Sequence, residues 1–478
     1  MKHPLTALLF VATSLLLNAQ TPAQPNQAAS GMPSPAALSA AGFRRFEPAY
    51  PVRYEPMPPA EIGKVLERIT SYLDASTPAR LIDSETREAI TDFSKPNPRA
   101  IPAPGDFQLV SYEWGVTYAG MLHAAEATGD KRYADYVATR VKFIADVAGM
   151  FRQSPDQAPQ QGQTPQQQGQ RIRRMLMRSV NNPGSLDDSG AMAAAFIKAA
   201  RAGIHAEVLR PYIDNYLKWI STQQYRLPDG TLARNRPLHN AVWLDDLYMS
   251  VPALAQMYLL TSDQKYLDDA AKQIIQFNER MFVKEKGLYM HAWIQEMDPH
   301  PAFHWGRANG WAAVAAAELL SAMPEDHPQR AKILELYRAH MRGLAGCQGI
   351  NGLWHQLLDR NDTYEETSAS AMFVYAIARG INRGWLDRLA YGPMASLGWN
   401  AVAKQINEKG QVENTCVGTG MGFEPTFYQY RPVSPYAAHG YGPVFLAGAE
   451  MITLFKGKGS EALVSDGAVQ FMRSPAYR

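Results

Sequence analysis

The chain has 478 residues, of which 46% are hydrophobic and 19% are charged, and its formal net charge at pH 7 is +2. This composition is that of a globular protein with a sizeable core, and the length fits two or three domains or one large helical barrel. The nearly balanced charge excludes the strongly basic surface from which nucleic acid or an anionic membrane would be predicted as a partner.

The first residues have the layout of a secretory signal peptide. A basic start at Lys2 precedes an apolar run from Leu5 to Leu17, and small and polar residues follow around Ala19. We therefore predict residues 1–22 as the signal peptide and an exported protein, either periplasmic or secreted. The apolar run is too short to span a bilayer, so no membrane span is expected. A buried N-terminal helix is the alternative interpretation.

Two stretches are too polar and proline-rich to build a core. Residues 23–58 are predicted to form an extended lead-in, and the segment from Gln153 to Gln170 is predicted to be a disordered surface insertion between two helices. The only cysteines are Cys347 and Cys416, which either pair or remain buried thiols. No zinc-type spacing, GxGxxG or P-loop pattern occurs, so no metal and no cofactor are predicted.

Helical periodicity dominates the rest of the chain. Ile62, Val65, Leu66 and Ile69, for example, recur at three- and four-residue steps, whereas strand alternation is rare. Twelve helices are predicted, near residues 60–75, 109–128, 131–151, 187–202, 206–223, 246–261, 264–281, 307–322, 327–345, 367–381, 387–407 and 440–456.

A weak internal repeat suggests how these helices are arranged. The segment starting at Ala127, ATGDKRYADYVATRV, is similar to the segment starting at Leu260, LTSDQKYLDDAAKQI, and each has a helix end, a turn with an aspartate and a new helix. A helical hairpin cannot bury its apolar face alone. We therefore predict an all-α fold in which six hairpins close into an (α/α)6 barrel spanning residues 59–478. An open α-solenoid is the alternative.

Acidic pairs precede two of the predicted helices. Asp187 and Asp188 stand before an alanine-rich helix, where a lone aspartate would be explained by helix capping. Asp245 and Asp246 stand before another apolar helix, together with Trp243. Aromatic rings beside a carboxyl group shield it from water and favour its protonated form, which suits a general acid.

Aromatic and polar residues cluster downstream of these pairs. His291 alternates with an aromatic residue in LYMHAW, and the stretch FHWGRANGW contains Trp305, Arg307, Asn309 and Trp311. Arginine binds carboxylates through two hydrogen bonds, and indole faces suit the apolar faces of sugar rings. Glycines 306 and 310 are expected to let the backbone pass close to a sugar ring.

The motifs SLDDSG, VWLDDLYM, LYMHAW, HWGRANGW, GLWHQLLD and EETSASAM occur in one order. In this combination the chain resembles glycoside hydrolase family 105 and, more distantly, family 88, over roughly Tyr112 to Glu450. The resemblance implies an (α/α)6 barrel and a substrate that is an oligosaccharide ending in a 4,5-unsaturated uronic acid. It also implies that Asp245 is the principal acid/base and Asp187 the second carboxylate, although Asp188 and Asp246 leave each register open.

The leading hypothesis is thus an exported unsaturated uronyl hydrolase that hydrates the C4=C5 enol ether of polysaccharide-lyase products. Arg307 would bind the uronate carboxylate, His291 and Asn309 would bind hydroxyls or water, and Trp243, Trp305 and Trp311 would contact the sugar. Two alternatives remain: an inverting glycosidase using Asp245 with Glu366 on a saturated bond, and a non-catalytic carbohydrate-binding protein. The oligomeric state stays open.

Overall fold

The computed structural model of the protein describes residues 52–95, 97, 99–152, 177, 179–456, 462–465 and 468–471. The predicted signal peptide, most of the lead-in and the insertion at 153–170 lie outside the described residues. The α-helices within them are α1 Pro59–Ser76, α2 Tyr112–Thr128, α3 Lys131–Arg152, α4 Leu186–Arg201, α5 Ala206–Thr222, α6 Val251–Thr261, α7 Gln264–Met281, α8 Gly306–Ala322, α9 Arg330–Ala345, α10 Thr367–Asn382, α11 Arg388–Lys404, α12 Pro425–Gln429 and α13 Tyr441–Lys456.

Six of these helices close into a ring. Helices α2, α4, α6, α8, α10 and α13 each pack on the next, and α13 returns to α2. A second layer surrounds them, in which α1, α3, α5, α7, α9 and α11 each pack mainly on one inner helix. The predicted (α/α)6 barrel is therefore confirmed, because an open solenoid would leave α2 and α13 apart.

Residue composition separates the inner helices from the outer ones. Inner helix α8 buries 16 of its 17 residues, and its sequence is rich in alanine and glycine. Outer helix α7 buries one stripe, including Leu267, Ala270, Ala271 and Ile274, and exposes its charged face. A helix that is apolar all round belongs inside a ring, and an amphipathic one belongs on its outer surface.

The internal repeat corresponds to two inner-to-outer corners. After α2, Gly129 takes a left-handed conformation with φ of 77°, and its N–H donates to the carbonyl of Ala125. After α6, Ser262 does the same with φ of 60°, and the Asp263 carboxylate then accepts the N–H of Lys265 to start α7. Each corner ends one helix and caps the next, so the repeated sequence encodes a hairpin.

Glycines allow close approach between ring neighbours. A Cβ atom on Gly190 would lie 1.8 Å from the carbonyl oxygen of Met249. One on Gly310 would lie 2.5 Å from the sulfur of Met372 in α10, and one on Gly306 would lie 3.1 Å from the carbonyl oxygen of His355. The expectation that Gly306 and Gly310 make room for a sugar is therefore wrong, since both face protein atoms.

Short antiparallel strand pairs lie in the loops between helices. The strands are β1 Leu81–Asp83, β2 Ala89–Ile90, β3 Ala100–Pro102, β4 Ala241–Trp243, β5 Phe282–Val283, β6 Leu288–Tyr289, β7 Ala292–Ile294, β8 Trp354–His355, β9 Glu365–Glu366, β10 Ala462–Ser465 and β11 Ala468–Phe471. They form the sheet β2-β1-β3 and the pairs β4-β7, β5-β6, β8-β9 and β10-β11. The pairing of Trp243 with Ala292 places two of the predicted site segments side by side.

The helix predicted from residue 246 begins later than expected. Leu244–Leu247 forms a 3-10 turn, and α6 starts only at Val251. Pro252 explains the difference, because proline has no N–H and is tolerated only in the first turn of a helix. The acidic pair consequently lies on a tight turn before the helix.

Two further features of the described residues concern the state of the cysteines and the length and hydrophobicity of the helices. Cys347 and Cys416 are both free thiols, and Cys416 is buried. None of the helices described is long and apolar enough to cross a membrane.

A buried network of charges spans the end of the ring where the inner helices finish. Lys198 of α4 lies 2.7 Å from Glu318 of α8, while Glu450 of α13 lies 2.6 Å from both Arg379 of α10 and His123 of α2. Burial opposes the charged form of both glutamates, but the neighbouring cations prevail and lower the pKa of each to about 2. The network therefore ties the helix ends together as ion pairs.

We expect Glu450→Gln to lower the free energy of unfolding by about 3 kcal/mol, because it leaves the Arg379 charge buried without its full complement. Since the folded pKa lies below the unfolded value, the glutamate stabilises the protein above about pH 4.5, and this contribution is lost as pH falls toward 2. Urea unfolding at several pH values measures both effects. Glu67→Gln, which removes an exposed ion pair with Arg132, should cost less than about 1 kcal/mol.

Candidate active site

The candidate catalytic and binding side chains lie at the opposite end of the ring, where the inner helices begin. Asp187 lies in the first turn of α4, Asp245 in the turn before α6, and Arg307 in the first turn of α8. His291 directly precedes β7, and Tyr428 and His439 precede α13. Because the inner helices run in the same direction, their starts meet around one mouth.

Asp245 and His291 form a hydrogen-bonded pair. The Leu244 N–H donates to the His291 carbonyl, which holds the two segments together at 3.0 Å. His291 Nε2 then lies 3.2 Å from Asp245 Oδ2. The imidazole is completely buried, whereas the Asp245 side chain remains 16% exposed. One carboxylate oxygen thus contacts the histidine, and part of the Asp245 side chain remains accessible.

Tyr428 holds the other ring nitrogen of this histidine. Its hydroxyl oxygen lies 2.6 Å from His291 Nδ1 and 3.4 Å from the Gly422 carbonyl oxygen, and it accepts the backbone N–H of Gly422 at 3.0 Å. A carboxylate only accepts hydrogen bonds, so His291 Nε2 is the donor to an ionised Asp245, and the Nδ1 of a neutral ring then accepts the tyrosine O–H. No sequence pattern indicated Tyr428, which lies 137 positions from His291.

Arg234 bridges the two acidic pairs. Its guanidinium donates to both carboxylate oxygens of Asp187, each at 3.0 Å, and to Asp246 at 2.6 to 3.1 Å. Asp246 is fully buried, and this burial, only partly offset by Arg234, raises its pKa to about 6. Asp246 is therefore an anchor for Arg234, while Asp187 keeps 36% of its side chain exposed.

Asp188 has a structural position. Its carboxylate accepts the N–H of Gly184 at 3.0 Å, and its own N–H donates to the Ser185 hydroxyl at 3.1 Å. These contacts cap the start of α4. The geometry thus favours Asp187 and Asp245, the first residue of each pair, as the ones that face the mouth, and their catalytic use remains a prediction.

Trp243 forms the accessible aromatic surface of the site. The Arg234 guanidinium lies 4.8 Å from the centre of its ring, and the His291 ring lies 5.9 Å away. Trp243 is half-buried and, together with Asp187 and Arg234, lines a cleft of about 580 Å³. A sugar contact at Trp243, as predicted, is compatible with this position.

Trp305 and Trp311 are almost completely buried beneath the site, each with 1% exposure. The Trp305 ring lies 4.7 Å from that of His291, and the Trp311 ring lies 4.7 Å from that of Tyr248. Their surfaces are covered by other aromatic rings, so the expected sugar-stacking wall is not supported. They instead support the residues that face the mouth.

Arg307 and Asn309 have protein partners. Arg307 is 1% exposed, and its two Nη atoms donate to the carbonyls of Cys416 and Val417, each at 2.7 Å. The Asn309 side-chain amide accepts the backbone N–H of Tyr289 and donates to the carbonyls of Tyr289 and Trp305. The prediction that Asn309 binds substrate is therefore wrong, and these contacts do not support Arg307 as the carboxylate-binding residue.

Glu366 is the N-cap of α10. It is completely buried, and its carboxylate accepts the N–H groups of Ala369 at 2.6 Å and Cys416 at 2.9 Å. A catalytic base must reach water or substrate. The alternative that pairs Asp245 with Glu366 in an inverting glycosidase is therefore contradicted.

A further cluster faces the mouth from the start of α2. The Tyr112 hydroxyl lies 2.6 Å from Nε2 of His439, and Glu113 lies 3.4 Å from the same nitrogen. Burial raises the pKa of Glu113, while burial and the Arg307 charge lower that of His439 well below its usual range. The sequence SYEWG has the acid-beside-aromatic pattern at a helix start that identified the other segments, so this cluster was detectable.

We expect Arg307→Met to destabilise the protein by about 3 kcal/mol, because it leaves two buried carbonyls without donors. The loop at residues 416–437 should then become open to limited proteolysis, and the melting temperature should fall. Arg210→Met, which removes only an exposed pair with Asp214, is the matched control. An unchanged melting temperature with lost uronate binding would restore the substrate-binding role.

Comparison with known proteins agrees with this architecture. Among solved structures, a possible member of glycoside hydrolase family 105 from Klebsiella pneumoniae superposes with a TM-score of 0.63 at 22% identity, covering 85% of this chain and 98% of that one. A second possible member, from Salmonella enterica serovar Paratyphi A, gives 0.62 at 22% identity, with 85% and 99% covered. These likenesses support the barrel fold.

Curated relatives carry activity names. An unsaturated 3S-rhamnoglycuronyl hydrolase of Alteromonas sp. is 31% identical over 215 residues, which are 44% of this chain and 51% of the relative. An unsaturated rhamnogalacturonyl hydrolase of Bacillus subtilis is 28% identical over 201 residues, 42% and 56% of the two chains. The match thus spans about half the length of these relatives.

The model of Glycosyl Hydrolase Family 88 matches residues 81–455, which include the whole inner ring except the last residue of α13. This range contains each of the predicted site motifs. The resemblance to families 105 and 88 is thereby confirmed, and the chain belongs to Glycosyl Hydrolase Family 88.

Proposed function

We propose that this protein removes the terminal 4,5-unsaturated uronic acid from oligosaccharides by hydrating its C4=C5 double bond. The observation that carries the proposal is the Asp245 carboxyl group, which faces the mouth while one of its oxygens is held by His291. Hydration of an enol ether needs one acid that first gives a proton and then takes one. The names of the curated relatives support the same reaction.

In this mechanism Asp245 gives its proton to C4 of the unsaturated ring. The positive charge that develops at C5 is then attacked by water, and Asp245 takes the proton that this water releases. The resulting hemiketal opens and frees the next sugar. His291 Nε2, 3.2 Å from the other carboxylate oxygen, keeps that oxygen in place.

Asp187 has a different proposed role. Its carboxylate shares the charge of Arg234 and remains partly exposed, so it suits the acceptance of hydrogen bonds from sugar hydroxyls. Trp243 lies beside it as a contact surface for the ring. Both relatives' names contain rhamnose, and we infer a rhamnose-linked substrate. We also infer export, from the sequence pattern of residues 1–22.

Asp245→Asn should reduce turnover of an unsaturated disaccharide by about 10³-fold or more, because the amide cannot donate the required proton. The measurement is the loss of the far-ultraviolet absorbance of the unsaturated uronate, with binding of the substrate followed separately. Asp188→Asn is the matched control, since the asparagine side-chain oxygen can still accept the Gly184 N–H, and it should stay near wild type.

Two outcomes would contradict the proposal. Binding without turnover in the wild type would indicate a carbohydrate-binding protein. Cleavage of saturated substrate alone would indicate an ordinary glycosidase, for which Asp187, whose side chain is 36% exposed, is a second carboxyl group beside Asp245. Turnover of matched saturated and unsaturated disaccharides by the wild type distinguishes the two reactions.

Tyr428→Phe should lower kcat about tenfold and change the pH profile, because His291 then loses the donor that fixes its tautomer. Steady-state kinetics between pH 4 and pH 9 would follow the effect. Tyr216→Phe removes a buried hydroxyl for which the described residues provide no partner, and it serves as the control. Equal pH profiles for the two variants would remove the positioning role of Tyr428.

A further inference from the structure

The cleft beside Trp243 extends beyond the residues assigned to the reaction. It holds about 580 Å³, within the range of ligand clefts, and Asp187 and Trp243 at one side belong also to the candidate active site. Its lining also includes Trp219, Gln223, Tyr225, Asn235 and Arg236. The cleft therefore adjoins the candidate active site through Asp187 and Trp243.

The cleft has the chemistry of a sugar-binding surface. Trp219 and Tyr225 are half-buried aromatic residues, and Gln223 and Asn235 expose amide groups. Sugar rings combine apolar faces with hydroxyl groups, so aromatic and amide side chains suit them together. None of these four side chains is assigned a part in the reaction of the double bond.

Arg236 supplies a charge that the protein does not neutralise. Arg234 is paired with Asp187 and Asp246, and the nearby Arg226 is paired with Asp269 at 2.7 Å. Arg236, by contrast, is exposed and has no carboxylate within 4.0 Å among the described residues. Its guanidinium is therefore available to an anion that enters the cleft.

The backbone holds this arginine at the cleft. The N–H of Arg234 donates to the carbonyl of Ala241 at 2.7 Å, and the N–H of Ala241 donates back to the carbonyl of Arg234 at 3.0 Å. These two bonds close the base of a loop formed by residues 235–240. Arg236 lies in that loop, two positions after the arginine that contacts both acidic pairs.

We propose that this cleft binds the sugar next to the terminal uronic acid, and that Arg236 binds an anionic substituent, a carboxylate or a sulfate ester, on that sugar. The inference rests on the proposed function, because it takes the terminal ring to lie at Asp245. Guanidinium groups bind both kinds of oxyanion through paired hydrogen bonds. Arg236 is thus a specificity residue for the leaving sugar and takes no part in proton transfer.

The test compares three disaccharides that have the same terminal unsaturated uronate: one with unsubstituted rhamnose, one with a rhamnose sulfate ester, and one with a uronic acid as the second sugar. Arg236→Gln should raise KM for an anionic substrate about tenfold while kcat and the unsubstituted substrate change little. Arg236→Lys should recover part of the loss. Lys218→Gln, an exposed cation on α5 outside the cleft lining, should have no effect.

The sulfated and carboxylated substrates identify which anion is recognised, as the one whose KM responds to the Arg236 variant. An equal effect of Arg236→Gln on all three substrates, or none on any, overturns the anion subsite while leaving the proposed function intact. Failure of the wild type to turn over any of them contradicts the proposed function instead. Calorimetry with the Asp245→Asn variant then decides the subsite separately, since loss of anion-dependent binding on replacing Arg236 supports it and unchanged binding overturns it.

Discussion

A guanidinium buried at the mouth of a helical ring requires acceptors, and Arg307 finds them 109 and 110 positions further along the chain, on the carbonyls of Cys416 and Val417. The Glu366 carboxylate lies 3.9 Å away and offsets its charge, but the buried N–H groups also need acceptors, so the loop that follows must fold back over the ring. The same loop carries Tyr428 to His291. Satisfying one buried charge therefore also completes the surroundings of Asp245.

In both aspartate pairs, one residue has a structural role and the other faces the mouth. In each pair one residue holds the backbone or a cation in place, Asp188 as a cap and Asp246 as the buried partner of Arg234. The other residue, Asp187 or Asp245, faces the mouth. Arg234 contacts Asp187, 47 positions before it, and Asp246, 12 positions after it, so one shared cation links the two pairs.

The fold followed from the sequence because helix periodicity and the corner repeat are local signals. The motifs also indicated which helix starts meet at the mouth. Residue type did not reveal which atoms already have partners, and the Asn309 amide, which looked available, is bonded to backbone groups and to His340. Nor did any local pattern identify Arg234 or Tyr428, since their importance arises only from partners that are distant in the chain.

The charged network at the far end of the ring has a consequence for how substrate enters and products leave. Because buried ion-paired side chains from five of the six inner helices occupy that end, we expect a reactant to enter and leave by the mouth. On the proposed function, each reaction gives two products, and both leave through the mouth by which the next oligosaccharide enters. Accumulated product would then compete with substrate, and the narrowest part of the mouth would limit the rate of product release.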